Sequence, residues 1–188
     1  METPVRSNAT EPDSDADLML SVKAGSQAAL RMLIERWKNP LLNFFYRSTR
    51  DYGQAEDLAQ LTFIKINRAA ATYEPTARFS TFLFHVARRL LINEYRKTSR
   101  RPLDHVDPSD LQASTDDNSS REVGEIEEAF ALALDKLPEN HRTALLLFKQ
   151  QELSYADIAK AMDATESSVK TWIFRARAEL KTQLKELL

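Results

Sequence analysis

Two sets of side chains in this sequence have the chemistry to meet a polyanion, and each recurs at helical spacing. The first is Arg88, Arg89, Asn93, Arg96 and Lys97; the second is Glu166, Ser167, Lys170, Thr171, Phe174, Arg175 and Arg177. Guanidinium and ammonium groups neutralise phosphates, while amides, hydroxyls and guanidinium forks read base edges. No nucleophile–base pair and no phosphate-cradling glycine loop stands out. Cysteine is absent, which excludes disulfides and thiolate-bound metal, and His85, His105 and His141 are too scattered to suggest a metal site. The chain is therefore expected to bind rather than to catalyse, without a cofactor.

Charge is distributed to match. The 188 residues carry a formal net charge of only −2, but the blocks differ. Residues 84–102 carry six basic side chains against Glu94, and residues 160–188 carry six against four acids. Between them, residues 103–128 hold nine acids against Arg121, and residues 1–20 hold five acids against Arg6. Two basic faces are joined by an acidic strap. Opposite charges tethered so closely attract, so the strap is expected to cover the basic faces in part. The longest apolar run, Ala144 to Phe148, falls far short of the roughly 20 residues of a membrane span. No signal-peptide core occurs at the N-terminus, so no membrane insertion and a cytoplasmic location are expected.

No stretch alternates with period two, and the reading is all-α: two small helical domains joined by a flexible acidic linker. Residues 1–14 are polar with two prolines and read as a disordered tail. The first domain spans 15–99. It comprises a short helix near 15–24, a longer one over 26–49 capped by Ser26 and kinked or split at Pro40, and a third over 54–71. A loop over 72–78 precedes a helix over 80–99 capped by Ser80, with Phe82, Leu83, Val86, Ala87, Leu90 and Leu91 as its apolar stripe. Residues 100–121 lack periodicity and read as the linker. The second domain, 122–188, begins with a helix to about 136, and Pro138 opens the next as its first residue.

The strongest local pattern begins at Leu153. Ser154 with Asp157 resembles a capping box, and Ile158, Ala159 and Met162 make one apolar face. Asp163-Ala164 forms a tight turn, Thr165 caps the next helix, and Val169, Ile173, Ala176, Leu180 and Leu184 line its buried side. Ala159 is small where two helices cross, as a helix-turn-helix requires. Asp163 stands where glycine is usual, and aspartate tolerates the left-handed conformation better than most residues. The second set of binding candidates lies near the start of the second helix, where base edges are met.

Both halves together resemble the extracytoplasmic-function sigma factors, which keep sigma regions 2 and 4. Ala55-Glu56-Asp57-Leu58-Ala59-Gln60-Leu61-Thr62-Phe63 resembles the region 2.2 signature A-E-D-L-x-Q-E-x-F. Phe79 to Arg88 resembles F-x-x-W-L-x-x-I-A-R of regions 2.3 and 2.4. Leu137-Pro138-Glu139-Asn140-His141-Arg142 is similar to the opening of region 4.1, and Leu153 to Arg177 to region 4.2. Leu61, Phe82 and Arg89 depart from the usual acid, tryptophan and asparagine.

The resemblance implies an alternative sigma factor that binds core RNA polymerase, recognises −35 and −10 promoter elements, and promotes DNA melting. It assigns Asp57 and Gln60 to the clamp of the largest polymerase subunit, with the flap of the second-largest as a further contact. Tyr73, Arg78, Phe79, Arg88, Arg89, Asn93, Arg96 and Lys97 are assigned to the −10 element. Capturing unstacked bases needs a basic groove with aromatic or polar pockets. Glu166, Ser167, Lys170, Thr171, Phe174, Arg175 and Arg177 are assigned to the −35 element. The linker would thread the polymerase active-site channel, and an anti-sigma factor is the further partner implied. Phe82 reads as core. Two alternatives stay open: a LuxR-like helix-turn-helix regulator without sigma activity, and a helical protein–protein adaptor.

Overall fold

The computed structural model describes residues 14–98 and 118–187, and among these it contains eight α-helices and no strand. In the first half, α1 (Ser14–Lys23) and α2 (Gln27–Thr49) meet at a turn closed by Ser26, whose side chain accepts from the Ala29 amide. That cap is the one the sequence predicts. Helix α2 runs unbroken through Pro40. An interior proline costs about 3 kcal/mol, and the helix persists because Leu41, Phe44 and Phe45 beyond it are fully buried. It ends at Arg50 in the left-handed region (φ 55°), whose amide returns to the Tyr46 carbonyl.

Helix α3 (Tyr52–Ala69) starts two residues earlier than the periodicity suggests. Asp51 caps it by accepting from the Gln54 amide. A 3₁₀ turn (Ala70–Thr72) and a short loop lead to α4 (Phe79–Thr98). Ser80 lies inside α4 rather than at its cap, because the Arg78 carbonyl already accepts from the Thr81 and Phe82 amides. Met19, Leu33, Phe44, Leu58, Ile66, Phe79, Leu83, Phe84 and Leu91 form the core of this half.

The second half comprises α5 (Asn118–Asp135), α6 (Glu139–Gln150), α7 (Tyr155–Ala161) and α8 (Glu166–Leu187). Helix α5 begins four residues before the predicted domain boundary and runs through Gly124, so residues 118–121 are helix rather than linker. Pro138 occupies the cap of α6 instead of its first turn, and its carbonyl accepts from Arg142. Its missing N–H costs nothing in either place. Leu134, Leu147, Ile158, Val169, Ile173 and Ala176 make the shared core. Residues 1–13 of the predicted tail and residues 100–117 of the predicted linker lie outside the described residues, while Ser14 already belongs to α1. No helix among those described is long and apolar enough to cross a membrane.

The halves are packed on each other. Helix α4 lies against α7, and α2 against α6 and α5.

Candidate nucleic-acid interface

Three local devices fix the helix-turn-helix. Ser154 caps α7: its hydroxyl accepts from the Asp157 amide and donates to the Asp157 carboxylate at 2.6 Å. The C-terminus of α7 closes with the Ala164 amide on the Ala159 carbonyl at 2.9 Å, while Asp163 takes the left-handed conformation at φ 51°. This is a Schellman-type ending, with aspartate in the position glycine usually holds. Thr165 then caps α8 by accepting from the Ser168 amide. All three devices were legible in the sequence.

Val169, Ile173, Ala176 and Leu180 anchor α8 in the core. Away from these positions Glu166, Ser167, Lys170, Thr171, Phe174, Arg175 and Arg177 are all exposed, Glu166 and Arg177 on the flanks of the buried stripe. Phe174 is 75% exposed, the largest value among the big apolar side chains of the described residues. An aromatic ring there is placed to touch an apolar group such as a thymine methyl. Not all the cations are equally available. The Lys170 ammonium lies over the Tyr155 ring, 5.6 Å from its centre, and 3.9 Å from Glu166. The Arg177 guanidinium lies over Phe148 at 5.1 Å, and Phe148 stacks on Tyr155 with ring centres 5.1 Å apart. No local pattern announces this column, because Phe148 sits on α6 and meets α7 and α8 only when they fold together.

On α4, Arg89, Asn93, Arg96 and Lys97 form an exposed stripe, with Arg78 exposed just before the helix. Lys97 pairs loosely with Glu94 at 3.5 Å. Two of the aromatic candidates are enclosed by the protein in this structure. Phe79 is fully buried against Trp37 and Phe82, and Tyr73 is 5% exposed against Phe82. Apolar burial in this core outweighs presentation to a strand, so neither ring is placed to stack on a base. Phe82 packs against the core, as expected.

Arg88 departs from the stripe. It is half-buried, donates from Nη2 to the Asn140 Oδ1 at 3.2 Å, and holds its Nε buried without a hydrogen-bond partner. Its neighbours on that side also face the second half: Thr81 donates to Asp157 at 3.1 Å, and His85 lies 3.8 Å from Asp163. At the far end, Arg142 donates to the Tyr95 hydroxyl at 3.3 Å and lies over its ring. Burial raises the pKa of that hydroxyl, with Arg142 opposing. Arg50 bonds Glu128 at 2.9 Å and Asp135 at 3.3 Å. Burial works against its charge, but these two acids outweigh it and hold its pKa above the ordinary value.

A third surface lies on α3. Asp57 and Gln60 are exposed, and Leu61 and Ile64 continue the same helical stripe at 44% and 46% exposure. Spacing at i, i+3, i+4 and i+7 puts the four on one face.

Residues 33–101 match the family model for Sigma-70 region 2, and residues 127–180 match that for Sigma-70, region 4. The chain is 31% identical to the RNA polymerase sigma-H factor of Pseudomonas aeruginosa over 186 residues, covering 94% of this chain and 96% of the relative. It is 28% identical to the ECF RNA polymerase sigma factor SigW of Bacillus subtilis over 178 residues, covering 88% and 94%. Among solved structures, CnrH in complex with the cytosolic domain of CnrY superposes with a TM-score of 0.72 at 22% identity, over 93% of this chain and 99% of that one. The sigma factor RpoE in complex with the anti-sigma factor NepR from Bartonella quintana gives 0.66 at 23%, over 82% and 96%.

Proposed function

Because the chain belongs to the sigma-70 family of RNA polymerase sigma factors, we propose that its three exposed faces divide the work of promoter recognition. The α8 face reads the −35 element as duplex. Cations and hydroxyls near the helix start meet phosphates and base edges in the major groove, and Phe174 adds an apolar contact. The α4 stripe holds the −10 element. Arg78, Arg89, Arg96 and Lys97 neutralise the backbone of the opened strand, and Asn93 can pair with a base edge. The α3 face, with Asp57 and Gln60 flanked by Leu61 and Ile64, docks on the clamp of the polymerase. The chain supplies binding and strand capture, and the polymerase supplies the chemistry.

The observation that carries this reading is the exposure of all seven α8 candidates on a helix whose preceding turn and N-terminal cap are fully built. A free helix-turn-helix regulator would use α8 and leave residues 33–101 without a role. The sigma factor RpoE, solved with the anti-sigma factor NepR, favours an anti-sigma partner for this chain too. The test is reconstitution with core polymerase, followed by sequencing of run-off transcripts. Discrete start sites that vanish with Arg175→Ala are expected; start sites indifferent to α8 substitutions would refute the division of labour.

A further inference from the structure

We propose that Lys23, at the end of α1, is a positioning residue for the −10 element: it pins the loop over 74–78 that leads into α4, and so sets which base that loop accepts. The inference rests on the reading of Arg78 and the α4 stripe as strand-binding, and adds to it a residue from a different helix.

Lys23 lies in the last turn of α1, where a cation complements the helix dipole. A lysine serving only the dipole needs no partner beyond its own helix. Here the ammonium crosses to another segment and donates to the Tyr73 carbonyl at 2.9 Å, 50 positions along the chain. Both sides of that bond are held. Behind Lys23, α1 stops at Gly25, whose φ of 94° lets the Gly25 amide reach the Val22 carbonyl and the Ser26 amide reach the Ser21 carbonyl. Asp15 fastens the other end of α1 to α2 by accepting from Arg36 and Trp37. On the far side, the Tyr73 ring is buried against Phe82, and its amide donates to the Ala70 carbonyl.

The loop that follows is held at its base and open at its tip. Tyr73 and Phe79 are buried on either side of it, and Phe82 touches both rings. Between them Glu74, Pro75, Thr76 and Arg78 are exposed. The Thr76 amide donates to the Glu74 carbonyl at 2.8 Å, which tightens the tip. The Arg78 carbonyl accepts from the Thr81 and Phe82 amides, so α4 fixes that end of the loop. Lys23 fixes the other. A loop held at both ends binds without a further ordering cost, and one freed at an end accepts more than one base geometry. Base choice by the loop therefore depends on Lys23. Backbone contacts from Arg89, Arg96 and Lys97 belong to α4 and do not.

The test uses the reconstituted holoenzyme on a promoter recovered from run-off transcripts, with its −10 region randomised and base preference read by sequencing the transcripts. Lys23→Met removes the donor and keeps a straight side chain. It should reduce the preference in part of the −10 region by about three- to tenfold, the order expected for one hydrogen bond. The −35 footprint and the melting temperature should stay as in wild type, since Lys23 is exposed, and Lys23→Arg, which keeps a donor, should restore the preference. Pro75→Gly, which loosens the loop without touching α1, should flatten the same positions. Undiminished preference in Lys23→Met overturns the inference. So does an even loss over every −10 sequence, which would mark Lys23 as a phosphate contact. A lowered melting temperature with −35 protection lost as well would assign Lys23 to stability alone, and flattening by Pro75→Gly at other positions would separate it from the loop; either result overturns the inference. Arg78→Ala judges the underlying reading. If that variant opens promoters with wild-type preference, the loop is no part of the −10 surface; if it is impaired while Lys23→Met is not, only the role of Lys23 fails.

Discussion

Asp163 holds the turn between α7 and α8 in a conformation that glycine reaches without a Cβ penalty. Asp163→Gly should stabilise the full chain by up to about 1 kcal/mol, read from its urea midpoint. A fall in the midpoint would mean that the carboxylate beside His85 outweighs the backbone relief. Phe79 makes a sharper case. Its ring is wholly enclosed, so Phe79→Ala should cost about 3–5 kcal/mol of stability, and Phe79→Leu much less. A base-stacking ring would behave oppositely, sparing the melting temperature and abolishing promoter opening. On α8, Arg175→Ala should cost about 1–3 kcal/mol of −35 affinity if it pairs with a base edge. Lys170, partly held over Tyr155, should mainly flatten the salt dependence when changed to alanine. Footprints over the −35 region that match wild type for both variants would move the recognition surface elsewhere.

At the scale of the element, α3 shows how one residue changes a face. Leu61 stands where the family pattern has an acid, and with Ile64 it turns a polar edge into an apolar strip beside Asp57 and Gln60. Apolar side chains exposed by a folded monomer in one row mark a contact surface. Leu61→Ala and Ile64→Ala should each weaken core polymerase binding by about 1–2 kcal/mol, measured by competition with the wild-type chain. Stability should stay within about 0.5 kcal/mol, since neither side chain is buried. If polymerase affinity is unchanged, the strip is incidental and Asp57 and Gln60 stand alone. Helix α8 is tuned differently, by the Phe148–Tyr155 stack beneath Lys170 and Arg177. The stack fixes where two of the seven candidate side chains begin their reach towards DNA.

For the whole molecule, the question is which acids face α4. Among the described residues Asp157 and Asp163, on α7 and the turn after it, face α4; residues 103–117 of the acidic strap lie outside the described residues. Changing Asp104, Asp107, Asp110, Asp116 and Asp117 to asparagine should raise the single-strand affinity of the free chain at low salt. Unchanged affinity would leave the strap as a tether only. Local features follow from neighbouring residues alone. Helix periods, the Ser26, Ser154 and Thr165 caps, the left-handed Asp163 and the buried stripe of α8 all depend on residues within a few positions of each other. The exposed DNA-facing candidates of α8 follow from the same periodicity. Other features depend on packing between segments far apart in the chain. A ring in a loop beside a basic helix looks the same whether it faces a base or a core, and Phe79 and Tyr73 were settled by Trp37 and Phe82 packing around them. Arg88 shares its helix with Arg89, yet it points at Asn140, 52 positions away. No local pattern encodes that pairing, because it exists only where two separately folded surfaces come together.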